Sequence, residues 1–202
     1  MERIKKLINN LKGKRIDAEY FESAEAVKAK IISEITKEDT VGIGGSMTIF
    51  DLKLHEELIK AGNEVYWHWL VEPEKRGQVR QKAATADIYL TSTNALTEAG
   101  ELVNIDGVGN RVASMFYGPK KVIVICGINK ITTDIISAID RIKEKACPSN
   151  ARRLNLKVPC AFTDLCNDCT SEERMCNITT IINNKPMTVD LKVYIVGEEL
   201  GY

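Results

Sequence analysis

The chain has 202 residues, with 28 basic and 28 acidic side chains that cancel, 44% hydrophobic and 6% aromatic residues. That is the size of one ordinary folded domain, and the scattered, balanced charge excludes the basic footprint that drives non-specific nucleic-acid binding. No apolar run approaches the roughly 20 residues that span a bilayer, and the amphipathic opening Met1–Lys6 has no signal-peptide apolar stretch after it, so neither nucleic acid nor membrane is expected as a partner and a cytoplasmic location is expected.

In chain order, Ile4, Leu7, Ile8 and Leu11 predict a helix to about Lys14, and Ala24, Val27, Ile31 and Ile35 predict a second over Ser23 to Thr36. Val41 to Ile43 is a short strand running into Gly44-Gly45-Ser46, and Met47, Phe50, Leu54, Leu58 and Ala61 form a helical stripe that stops at Gly62. Val65 to Leu70 predicts a strand, Val71 to Ala84 a helix, Asp87 to Thr91 a strand and Lys121 to Cys126 another. Ile135, Ile136, Ile139 and Ile142 give a helix behind a Thr132 or Thr133 N-cap, with Asp134 in its first turn. Cys147-Pro148 starts a Pro-initiated helix to Leu154, a cysteine-rich loop follows, and Val189 to Val196 is the last strand. Alternating strands and helices predict an α/β fold with an open, mainly parallel sheet. The division expected is a single domain over 1–202: N-terminal helices 1–38, an α/β core 39–146 and a cysteine-rich segment with the last strand 147–202.

The turn Gly42-x-Gly44-Gly45-Ser46-x-Thr48 has the makings of an anion cradle, because glycines let the backbone approach a ligand and Ser46 and Thr48 supply donors. A merely tight strand-to-helix turn is the alternative. The spacing matches neither the dinucleotide fingerprint nor the P-loop, so there is no NAD or ATP signature. Residues 91–130 are rich in small polar positions that follow predicted strands. In a parallel sheet these loops converge at the strands' carboxyl ends, near the glycine turn. Asn94, Asp106, Asn110, Arg111, Lys120, Asn129 and Lys130 are the candidate ligand-binding residues there, and Glu98 or Asp106 could serve as nucleophile or base. Alternatively, Asn94, Asp106 and Asn110 satisfy turn backbones and Glu98 sits in a hairpin turn. His55 and His68 stand alone in helical and strand patterns and read as packing or surface residues.

Five of the six cysteines lie between Cys147 and Cys176, whereas Cys126 sits in an apolar strand and reads as core. Cys160, Cys166, Cys169 and Cys176 supply four thiols within seventeen residues, enough for zinc or an iron–sulfur cluster. A loop of reduced or disulfide-bonded cysteines is the alternative, with Cys147 as a spare ligand. No histidine is near, so the site would be all-thiolate or completed from outside.

Gly-Ile-Gly-Gly-Ser-Met-Thr at 42–48, Asn-Ala-Leu-Thr-Glu-Ala-Gly at 94–100, Asp-Gly-Val-Gly-Asn-Arg-Val-Ala at 106–113, Gly-Pro-Lys-Lys-Val-Ile at 118–123 and Gly-Ile-Asn-Lys at 127–130 resemble the LUD (lactate-utilisation, LutC/YkgG-type) domain family. The resemblance covers nearly the whole chain. It implies a three-layer fold similar to the NagB/RpiA/CoA-transferase-like superfamily, whose first glycine-rich loop cradles a phosphate or related anion. It also implies a role in oxidising lactate or another organic acid, as an oxidoreductase component working with partner subunits in an iron–sulfur system. The ligand would be a small anionic organic acid or a phosphorylated molecule. The added ferredoxin-like domain of LutB-type members, with its closely spaced C-x-x-C-x-x-C runs, is absent. Superfamily enzymes use a catalytic carboxylate, for which Glu98 is the candidate. A stand-alone ligand-binding or redox-regulatory module without catalysis is the competing reading.

Overall fold

The computed structural model describes residues 1–202. Helix α1 (Glu2–Gly13) buries Leu7 and Leu11. Strand β1 (Asp17–Phe21) follows, within a stretch expected to hold helices only. Helix α2 (Ala24–Glu34) opens on Ser23, whose hydroxyl accepts the Ala26 N–H, and is followed by β2 (Val41–Ile43). The single helix expected after the glycine turn is two, α3 (Met47–Asp51) and α4 (Leu54–Ala61), because Lys53 takes a left-handed conformation between them. Strand β3 (Val65–Trp67) ends three residues earlier than expected. A 3-10 turn at Pro73–Lys75 then leads into α5 (Arg76–Ala83).

Strand β4 (Ile88–Ser92) is followed by the hairpin β5 (Ala95–Thr97) and β6 (Leu102–Asp106), then α6 (Asn110–Phe116), β7 (Lys121–Gly127) and the short β8 (Ile131–Thr132). The cap of α7 (Ile135–Arg141) is Asp134 and not a threonine, since its carboxylate takes the Ser137 N–H at 2.8 Å. A π-helical stretch, Ile142–Ala146, joins α7 to α8 (Cys147–Arg153). Pro148 lacks an N–H and its ring would meet the carbonyl four residues back, so the widened turn just ahead of it lets the helix run on. Helix α9 (Pro159–Thr163), β9 (Ile178–Ile182) and β10 (Asp190–Val196) complete the chain.

Six strands form one sheet in the order β1-β10-β7-β4-β2-β3, every neighbouring pair parallel. The central strands are buried on both faces, which is why Val122–Cys126 is continuously apolar. Alternate residues divide between two cores. Val122, Val124 and Cys126 pack with Leu7, Leu11 and Met115 on one face, and Ile123 and Ile125 with Val27, Ile31, Ile49 and Leu58 on the other. The result is a three-layer open sheet, each fully buried Ile or Val in it worth about 1.5–3 kcal/mol. A second, mixed sheet, β8-β5-β6-β9, lies beside it and packs on α7 through Val103, Ala138 and Ile142. No helix is long and apolar enough to cross a membrane. The carboxyl ends of β2, β4 and β7, at Ile43, Ser92 and Gly127, bring the glycine turn and the polar loops to one edge.

Candidate functional site

At that edge lies a cavity of about 560 Å³. Of the residues expected from the sequence, it brings together Gly45, Ser46, Thr48, Asn94, Asp106, Asn110, Arg111 and Lys130. Ser46 is the N-cap of α3, its hydroxyl accepting the Ile49 N–H at 3.3 Å. Gly45 has His68 and Trp69 as its nearest neighbours, so the turn faces the residues that follow β3.

Lys130 is the cation built most deeply into the wall, only 3% exposed. Its ammonium donates to Thr48 Oγ1 at 2.8 Å and to Ser92 Oγ at 3.0 Å, and Thr48 in turn donates to the Leu200 carbonyl at 3.2 Å. An ammonium has three donors, so one remains for the cavity. Lys130 forms no salt bridge, and burial pulls its pKa down to about 8.

Arg111 lines the same cavity but is already engaged. Its Nη1 donates to Asn104 Oδ1 (2.7 Å) and the Ser92 carbonyl (3.3 Å), its Nη2 to Asn94 Oδ1 (2.9 Å) and the Ile105 carbonyl (3.0 Å), and its Nε pairs with Asp106 at 3.1 Å. All five guanidinium donors are used, so Arg111 is a strut that ties β4 to β6 and not a free anion binder. Asp106 is equally committed: its other carboxylate oxygen accepts the Gly109 and Val108 N–H groups at 2.8 and 3.2 Å. Asp106 and Asn94 both spend side-chain oxygens on backbone N–H groups and on Arg111 while still lining the cavity.

Other expected residues stand elsewhere. Glu98 lies outside the cavity, at the tip of the β5–β6 hairpin, where its carboxylate pairs with Arg3 of α1 at 2.6 Å and its carbonyl accepts from Asn10. Lys120 precedes β7 and so sits at the opposite, amino end of the sheet, paired with Asp87 at 2.7 Å. Asn129 braces the C-terminal tail, its amide donating to the Gly201 carbonyl and accepting the Leu200 N–H. Gly42 and Gly44 answer to packing: a Cβ on Gly42 would overlap the Ala83 carbonyl oxygen, and one on Gly44 would come 2.9 Å from Arg111 Cγ and the Tyr89 hydroxyl.

The cavity also contains His68, expected as a packing or surface residue, and residues that the sequence did not single out: Trp69, Arg76, Arg80, Asn150, Arg153 and Tyr202. His68 and Trp69 directly follow β3, the position where ligand contacts concentrate in such sheets, and Arg76 and Arg80 are four apart on one face of α5. Those two positional rules would have found them. His68 is buried and is held neutral, its pKa pushed down to about 4 by burial and by Arg80, Arg76 and Arg153. With Arg111 and Lys130, these make five cations in the cavity against one carboxylate, Asp106.

The cysteine segment forms a second, much smaller void of about 30 Å³ lined by all five clustered thiols, Cys147, Cys160, Cys166, Cys169 and Cys176. Cys147 and Cys176 are in contact at 3.3 Å, and the hydrogen bond between the two thiols pulls Cys176 down to about 7 while raising Cys147. Arg174 ties the loop together by donating to the Cys169 and Cys176 carbonyls and to Asp168. Only that one pair touches, and no three His, Cys, Asp or Glu side chains converge in metal-ligating geometry. The donor set is soft and all sulfur, which suits zinc or iron–sulfur chemistry, and closing it requires the loop thiols to turn inward. Cys147 lines the large cavity as well, so the two voids share a wall.

A model of the LUD domain family matches residues 4–196. The chain belongs to the LUD domain family. A DUF162 family protein from Deinococcus radiodurans has a similar fold, with a TM-score of 0.56 and 13% sequence identity over 97% of both chains. No curated protein matches this LUD domain chain in sequence. The family relates it to lactate-utilisation proteins, and the shared fold agrees with the three-layer open sheet.

Proposed function

We propose that this LUD domain binds a small anionic ligand at the Lys130 end of its cavity and acts as an oxidoreductase component in the utilisation of lactate or a related organic acid. The observation that carries the reading is Lys130 itself. A buried ammonium without a salt-bridged carboxylate costs several kcal/mol unless something compensates it, and this one keeps a donor for the cavity that Gly45 and Ser46 also line. An anion supplies that compensation. Asn110 and Asn94 add polar wall, and Arg111 keeps the two strand ends in register.

Cys160, Cys166, Cys169 and Cys176 would hold the zinc or iron–sulfur cluster, the latter supplying one-electron transfer to a partner subunit. Analysis of protein purified without oxygen tests this half: stoichiometric iron and sulfide, or zinc, supports it, and metal-free protein removes it. Thermal shift with inorganic phosphate and L-lactate tests the anion half, since a ligand at 100 times its Kd adds about 2.7 kcal/mol of stability.

A second reading, a binding or redox-regulatory module without catalysis, is favoured by one observation: this chain offers the cavity no free carboxylate. Asp106 is fully engaged, Glu98 is outside and His68 is a poor base at neutral pH. Turnover of a 2-hydroxy acid by the isolated, metal-loaded protein would exclude this reading.

A further inference from the structure

The cavity has a second cationic pole. Arg76, Arg80 and Arg153 all line it, Arg76 and Arg153 as exposed side chains and Arg80 half-buried, and none has a carboxylate partner. Arg80 Nε is buried without any hydrogen-bond acceptor, although a buried donor normally has one. Arg153 is held in place: its guanidinium lies 4.5 Å from the centre of the Trp69 ring, Nε donates to the Tyr202 hydroxyl at 2.8 Å and Nη2 to Asn150 Oδ1 at 2.7 Å. Trp69 is itself stacked on Trp67 at 4.8 Å. Trp69 thus positions the arginine.

Like charges gathered without a counterion repel; burial first, and then Arg80, Arg76 and Arg153, hold His68 below its ordinary range. Arginine is the side chain best shaped to grip a carboxylate or phosphate through paired N–H groups. Lys130, with Thr48 and Ser92, forms the other pole. A cavity of about 560 Å³ is roughly 10 Å across if spherical, in the range that takes drug-sized ligands. A three-carbon hydroxy acid has one carboxylate and reaches one pole.

We infer that the ligand is a small molecule that carries two separated anionic groups, phosphate or carboxylate, one at Lys130 and the other at Arg76, Arg80 and Arg153. The inference rests on the anion site proposed at Lys130 and names its ligand class.

Calorimetric titration of the full chain with inorganic phosphate, glucose 6-phosphate, glucose 1,6-bisphosphate and L-lactate at constant ionic strength tests it. The expected order places the bisphosphate at least 10-fold tighter than the monophosphate. In Arg76→Gln/Arg80→Gln that gain falls to within about twofold of the monophosphate, while inorganic phosphate still binds at the Lys130 pole. Gln preserves the helix and neither arginine has a structural partner, and an unchanged circular dichroism melt confirms that the variant is folded. A bisphosphate bound no tighter than the monophosphate overturns the two-pole inference and leaves the Lys130 site standing. So does a variant that weakens all phosphates alike. Wild-type protein that binds none of the four overturns both.

Discussion

Replacing Lys130 by Met separates what this residue does for the ligand from what it costs the fold. The folded chain keeps the ammonium buried, and its pKa falls from 10.5 to about 8, a cost on the order of 3 kcal/mol for holding the charge at neutral pH. Methionine fills similar space without that cost but gives up the hydrogen bonds to Thr48 and Ser92, about 1 kcal/mol each. The ligand-free variant should therefore be as stable as wild type or more stable, by up to about 2 kcal/mol in urea unfolding at pH 7. Phosphate loses a charge-assisted hydrogen bond worth about 1.5–3 kcal/mol, so its Kd should rise roughly 10- to 150-fold in calorimetry. The pH dependence has a definite sign. Between about 8 and 10.5 the unfolded chain holds the Lys130 proton and the folded chain does not, so wild-type stability relative to Lys130→Met rises with pH across that window and is flat below it. A variant that binds phosphate like wild type, or that is destabilised by several kcal/mol, would refute the reasoning.

Three further outcomes follow from the geometry. Arg111→Met should destabilise the fold by about 3–5 kcal/mol in denaturant titration, because it leaves Asp106, Asn94 and Asn104 short of their buried partner; a loss below 1 kcal/mol would show that the strut is dispensable. Folded-state His68 titrates near 4 and its unfolded counterpart near 6.5, so stability is lost as pH falls through that interval, and His68→Gln should flatten the slope of the urea midpoint there. Gly118→Ala combines φ +108° with a Cβ that would overlap the Ala84 carbonyl oxygen, so it should cost more than about 2 kcal/mol, and an unchanged thermal midpoint would contradict the backbone described.

The repeating apolar patterns made the helix and strand sequence readable wherever burial is one-sided or continuous. Val122–Cys126 and the α1 stripe are the clearest cases. Strand β1 was not readable because Asp17-Ala18-Glu19-Tyr20-Phe21 is an edge strand with little burial, held by pairing with β10 some 175 residues away. Strand β9 was missed for the same reason, as four of its five residues are at least partly exposed. At the site, the sequence brought the glycine turn and Lys130 to one sheet edge, because both directly follow strands of the parallel sheet, and both line the cavity there. The same rule misplaced Lys120, which precedes its strand, and Glu98, which belongs to a hairpin of the second sheet. Arg153 reads as an ordinary solvated charge in one dimension; only the packing of α5 and α8 around the sheet edge shows that it lines the same cavity as Arg76 and Arg80 without a counterion.

The most direct test of the anion site is a titration of isotope-labelled protein with inorganic phosphate, followed by amide nuclear magnetic resonance. Gly45, Ser46, Met47, Ser92 and Lys130 should shift together and saturate with one dissociation constant, and that response should disappear in Lys130→Met. Shifts confined to exposed lysines such as Lys120, or a response at Gly45 and Ser46 that survives the loss of Lys130, would contradict the account.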